Sequence, residues 1–241
     1  MICFLFCLVF PAKVAISSVG NVGYKVDEPI IKNIIIPQKK PIIDLKQGSG
    51  DRQIKKRKEM IDDLINKDLI ISSIKGLDNE QKQSALCLAM NIYNEARNSS
   101  TEDMIGVSLT VFSRLNSGRY VNKNAQNNVC NVIFADRQYS WTNHSIVLPK
   151  EKNAWVKSQT IAFLLITDVN IKGRIKKFKY KHYVLTSLFE SSTDKWFNQA
   201  KSTKIIGAHT YLLFEDDKTS SQSELAINLI SYIRGRLSSL G

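Results

Sequence analysis

The sequence predicts a mixed α+β chain, mainly helical with a small β element. Three observations carry this. Two amphipathic stretches follow one another closely at 78–96 and 100–118, a third lies at 53–76, and residues 178–184 alternate apolar with charged side chains. The chain has 241 residues and is 43% apolar, enough for one well-cored domain plus an appendage.

From the N-terminus, ten apolar residues end at Pro11 and small residues follow at Ala15, Ser17, Ser18 and Gly20. Ten apolar residues cannot span a bilayer, which needs about 20. Residues 1–20 therefore read as a secretory signal peptide, which predicts export to the cell envelope, periplasm or exterior. Four of the five prolines fall within the first 41 residues and GSG occupies 48–50, so 21–52 reads as an extended linker. Residues 53–76 are charged, with Ile54, Met60, Ile61, Leu64 and Ile65 at helical spacing, and Gly76 stops them.

The main domain, 77–241, opens with a helix that Asp78 can cap. Ala85, Leu88, Ala89, Ile92 and Ala96 mark its apolar face. Glu95 stands three residues beyond Ile92, about 60° around the axis, on the rim of that face, which makes it a partly buried carboxylate. A second helix follows, with Ser100 or Thr101 as N-cap, Glu102 and Asp103 in the first turn and Gly118 as its stop. The short connection leaves Glu95 near the mouth of a helical hairpin. Burial raises a carboxyl pKa, so such a Glu can hold a proton for general acid work; the plainer reading is a helix-end Glu paired with Arg97 or a lysine.

Lys and Arg outnumber Asp and Glu by 34 to 22, a net charge of +12, so the chain meets something acidic. The densest run, KGRIKKFKYK at 172–181, holds six cations in ten residues. Its aromatic interleaving suits nucleic acid, but Phe178, Tyr180, His182 and Val184 also fit the inward face of a half-buried strand with a solvated outer face, and that is the reading adopted. Cys87 and Cys130, left once a signal peptide is removed, are read as two buried free thiols, with a disulfide between them as the alternative. His144, His182 and His209 are far apart, and no CxxC or HExxH occurs, so neither metal nor cofactor is expected.

The ordered set LAMNIYNEAR, GVSLTVFSRLNSGRY, CNVIFADRQYSW, KHY, Trp196 and IGAHTY resembles the cell-wall hydrolase family that includes the germination-specific spore cortex-lytic enzymes. The likeness runs from about Leu86 to Leu212. Each motif is weak alone, and their order is what makes them specific. The resemblance implies a lysozyme-like α+β catalytic domain that cleaves peptidoglycan glycan strands, as an exported or phage-encoded enzyme. It carries the catalytic role to Glu95 and substrate contacts to Gln138, Tyr139, Ser140, Trp141, His182, Tyr183 and His209. The chain departs from the family pattern at Ser113 (usually Asn), Tyr139 (Phe), Val184 (His) and Tyr211 (Phe). With one carboxyl group in the matched motifs, lytic transglycosylation giving 1,6-anhydro ends is expected. A hydrolase would need a second acid, for which Asp136 is the spare candidate. Lys176, Lys177, Lys179 and Lys181 would then hold anionic wall polymers rather than nucleic acid. A non-catalytic wall-binding module and a basic nucleic-acid-binding protein are the competing classes.

Overall fold

The structure is a computed structural model that describes residues 77–123, 125–143, 149–214 and 222–239. The expected signal peptide, linker and 53–76 helix, and His144, lie outside the described residues.

Helix α1 (Asn79–Ala96) begins where Asp78 closes a capping box with Gln81. Asp78 accepts from Gln81 N at 2.8 Å and Gln81 Oε1 accepts from Asp78 N at 3.2 Å. From Ser84 to Tyr93 every residue is buried, so α1 is a central helix rather than a surface one. Helix α2 (Thr101–Ser117) starts at N-cap Ser100, whose hydroxyl accepts from Asp103 N, and ends at Gly118 with φ +67°. That left-handed stop is the one a glycine takes at least cost.

Short α3 (Val129–Ile133), capped by Asn128, packs against both α1 and α2. There the structure corrects the sequence reading: Cys87 and Cys130 are joined in a disulfide, with Cα atoms 5.3 Å apart. The thiols meet because α3 crosses α1 at the Cys87 turn, a tertiary contact that spacing along the chain does not encode.

Helix α4 (Lys152–Thr167) is the main partner of α1. Its N-cap, Glu151, makes no side-chain cap bond. Instead the Tyr93 hydroxyl of α1 accepts from the N–H groups of Lys150 and Glu151 at 3.0 and 3.1 Å. Asp168 ends α4 and caps α5 (Val169–Ile175). The C-terminal helix α7 (Gln222–Ser238) packs on α2, α4 and α5.

The β element is a three-stranded antiparallel sheet in the order β1-β3-β2, with β1 His182–Leu185, β2 Ser202–Ile206 and β3 His209–Leu213. Helix α6 (Thr186–Ser191) directly follows β1 and packs against the sheet. The register sets Tyr183 opposite Tyr211 and Ile206 opposite His209. The mixed, mainly helical class with a small sheet is thus as expected. The strand within 178–184 starts later than the alternation suggests, at His182, although Phe178 and Tyr180 are buried as the pattern requires.

Candidate active site

Glu95 lies in the last turn of α1 and is half-buried, as the rim position predicts. Its carboxyl pKa is raised above the ordinary 4.5 because burial strips water from the charged form. A hydrogen bond from Tyr183 and the charges of His209 and Arg114 pull the other way, each more weakly than the burial. The pairing with Arg97 offered by the plainer reading is not formed. Arg97 turns to Glu151, 3.4 Å from Nε to Oε1, and the group on Glu95 is the Tyr183 hydroxyl, which donates to Oε2 at 2.9 Å.

Tyr183 and His209 arrive from the sheet. Residues alternate in direction along a strand, so Tyr183 shares its face of β1 with Tyr211 and His209 of β3. The Tyr183 ring meets the edge of His209 with centroids 5.0 Å apart and tilts against Tyr211 at 5.6 Å. Burial and the neighbouring Glu95 charge push the Tyr183 phenol well up, so it stays a donor. Behind His209 stands Asp103, fully buried, with Oδ1 at 2.8 Å from Nδ1 and Oδ2 accepting from Ala208 N at 3.3 Å.

Two glycines allow this close packing. Gly207, with φ +58°, is the first residue of the two-residue turn between β2 and β3, and a Cβ there would sit 2.5 Å from Asp103 Cβ. Gly106, inside α2, lies under the Tyr211 ring; a Cβ would press on the hydroxyl and come within 2.8 Å of Cζ.

The third contributor is the 135–143 segment. Arg137 adopts φ +61°, a conformation that non-glycine residues take at some cost and that is concentrated at functional turns. Buried Arg114 holds the segment. Its Nε donates to Lys181 O at 2.8 Å, a guanidinium NH2 reaches Gln138 O at 3.5 Å, and its plane covers the Tyr139 ring at 4.9 Å. One cation thereby joins α2, the Gln138 turn and the approach to β1. Tyr139 is core, with its hydroxyl buried near Arg114 and Asn91 but in hydrogen-bond geometry with neither. Trp141 donates its indole N–H to Asn91 Oδ1 at 3.1 Å. Gln138 is half-buried, its amide donating to Asp136 O at 3.4 Å, and Ser140 is exposed. Ser113, at the position where the family pattern has Asn, is buried with its hydroxyl unpartnered.

The predicted site residues therefore divide. Glu95, Tyr183 and His209 come together, with Tyr139 and Trp141 behind them. His182 points from the opposite face of β1, where Nε2 lies 3.1 Å from the Tyr120 hydroxyl and the ring packs on Trp196 and Phe214 at 5.4 and 5.3 Å. Lys181, expected on a wall-facing surface, is buried, while Lys176 and Lys177 are exposed and Lys179 is half-exposed. Asp136 is exposed, its N–H donating to Asn122 Oδ1 at 3.1 Å. Among the described residues no group of three or more His, Cys, Asp or Glu could hold a metal ion, and no helix is long and apolar enough to cross a membrane.

Sequence reasoning missed the structural parts played by Asp103, Arg114 and Asn91. Asn91 carries a legible signal: an amide inside an otherwise apolar helix, four residues before Glu95, must find a partner in the core. By its place in the sequence Asp103 only complements the helix dipole, and what buries it is a hairpin more than 100 residues away. Compared with family models, curated proteins and solved structures, the chain matches none.

Proposed function

We propose that this chain cleaves the glycan strands of peptidoglycan at muramic acid, with Glu95 as the general acid. The observation that carries the reading is a half-buried Glu95 carboxyl whose Oε2 receives the Tyr183 phenol, in surroundings whose lack of water raises its pKa. A carboxyl group held in that state can protonate a glycosidic oxygen and, once ionised, accept a proton in return. The ordered motifs of the cell-wall hydrolase family support it, since three of their residues meet at Glu95. A lysozyme-like domain belongs to the same proposal, supported by a buried helix that ends in the acid beside a small antiparallel sheet.

The hydrogen-bond partner of the Glu95 carboxyl is the Tyr183 hydroxyl, and the matched motifs supply no second carboxylate beside it. We therefore favour lytic transglycosylation. Glu95 protonates the leaving oxygen, and its conjugate base then assists the muramoyl 6-hydroxyl in attacking the anomeric carbon, closing a 1,6-anhydro ring. Export is supported by the Cys87–Cys130 bond, which suits an oxidising compartment. The exposed Lys172, Arg174, Lys176 and Lys177 suit an anionic wall polymer.

Glu95→Gln keeps size and hydrogen bonding but removes the transferable proton, so clearing of purified walls should drop by about 10² to 10⁴-fold with the fold intact. Parent-like clearing by this variant would sink the assignment. Mass spectrometry of the released muropeptides, run in heavy-oxygen water, should find unlabelled anhydro ends. Labelled reducing ends would instead make the enzyme a hydrolase and turn attention to Asp136.

A further inference from the structure

His209 and Asp103 form a buried polar contact near Glu95, and nothing in the general acid chemistry above requires it. Both side chains are shut away from water, at 5% and 0% exposure. Burying a carboxylate and an imidazole is costly unless each is satisfied, so the arrangement calls for a reason.

Each oxygen of Asp103 receives a donor: Ala208 N–H on Oδ2, and His209 Nδ1 on Oδ1 at 2.8 Å. An acceptor pair of that kind fixes the imidazole proton on Nδ1 and locks the ring plane. The locked ring lies edge-on to Tyr183, at 5.0 Å and an interplanar angle of 79°. Tyr183 in turn places its hydroxyl on Glu95 Oε2. The titratable and charged groups around this line are Arg114 and Asp103 of α2, Tyr139 of the preceding segment, Tyr183 of β1 and Tyr211 of β3.

We propose that Asp103 and His209 are a positioning pair for the acid: Asp103 fixes the imidazole, and the imidazole holds the Tyr183 phenol against Glu95. The pair touches no substrate. It acts through Tyr183, whose hydroxyl it holds on Glu95 Oε2. This inference rests on the reading of Glu95 as the acid, but it has a readout that needs no substrate.

His209→Asn is the variant of choice, because an Asn amide can still donate to Asp103 while the ring against Tyr183 is gone. The carboxyl carbon of Glu95, followed by NMR against pH in the folded protein, should then titrate at higher pH than in the parent, since the Tyr183 hydrogen bond that favours ionisation has lost its support. With walls as substrate, the alkaline limb of kcat/KM should move up with it, and kcat should fall by about 10-fold to 100-fold with KM little changed. Asp103→Asn should give a smaller loss of kcat, and the double variant should lose no more than His209→Asn alone, because Asp103 acts through the ring. An unmoved Glu95 titration in a folded His209→Asn protein overturns the pair, and so do fully additive losses in the double variant. A moved titration in a protein that cleaves no wall would leave the pair standing and fail the proposed function instead.

Discussion

Trp141 and Asn91 are bound to each other, indole N–H to amide oxygen at 3.1 Å, one helical turn before Glu95. The bond ties the QYSW motif to the helix that carries the acid, and Asn91 is fully buried, so its oxygen has no water to fall back on. The motif residue thus supports the floor of the site, whatever its ring offers a sugar.

Trp141→Phe keeps an aromatic ring against Phe134 and deletes only the N–H. Leaving the Asn91 oxygen without its donor should cost about 1 to 3 kcal/mol. Urea denaturation of parent and variant measures this, and an unchanged midpoint would show that the bond contributes nothing net.

The raised pKa of Glu95 has a consequence for stability whose sign is fixed. The folded state holds the Glu95 proton more tightly than the unfolded chain, so ionising this group costs folding free energy as pH rises above the ordinary 4.5. Glu95→Gln should therefore melt higher than the parent at neutral pH, and the advantage should vanish as pH falls below about 4.5, where both states hold the proton. Thermal melts of the two proteins across that range test it, and a constant difference at all pH values would contradict it.

The Cys87–Cys130 bond closes a 43-residue separation between α1 and α3. Replacing both cysteines by alanine should cost about 2 to 5 kcal/mol, a fall in Tm of roughly 5 to 15 °C for a domain of this size. The linked peptide pair in a non-reducing digest checks the connection, and equal melting of oxidised and reduced parent would count against its weight.

Gly106→Ala forces a methyl group against the Tyr211 ring, to within 2.8 Å of Cζ. The ring is walled in by Phe178, Tyr180 and Tyr183 and cannot yield freely. A helix-interior Gly→Ala change would ordinarily stabilise by up to about 1 kcal/mol; here it should destabilise by about 1 to 3 kcal/mol. Chemical denaturation decides between the two signs.

Local rules in the sequence were enough for α1, α2 and the rim position of Glu95, because the Asp78 cap, the Ser100 cap, the Gly118 stop and the 3.6-residue period act over a few residues. What they could not show was set by distant contacts. Lys181 reads as one more surface cation, yet Arg114 takes its carbonyl and draws it inside. His182 and Tyr183 read as one motif, yet strand geometry sends them to opposite faces, so only Tyr183 reaches the acid. Asp103 reads as a dipole partner until Gly207 lets the β2–β3 hairpin close over it.

The two halves of the site also differ in how they are held. Glu95 lies in the last turn of a helix that is gripped by α2, α3 and α4 and cross-linked at Cys87, whereas Tyr183 and His209 ride on three short strands, of which β1 and β2 each pair on one side only among the described residues. Opening free energy follows contact with the core, so amides in the middle of α1 should exchange with solvent last and those of β1 and β2 early. The carboxyl group therefore sits on the slow-exchanging half of the site, and the phenol bonded to it on an early-exchanging edge strand.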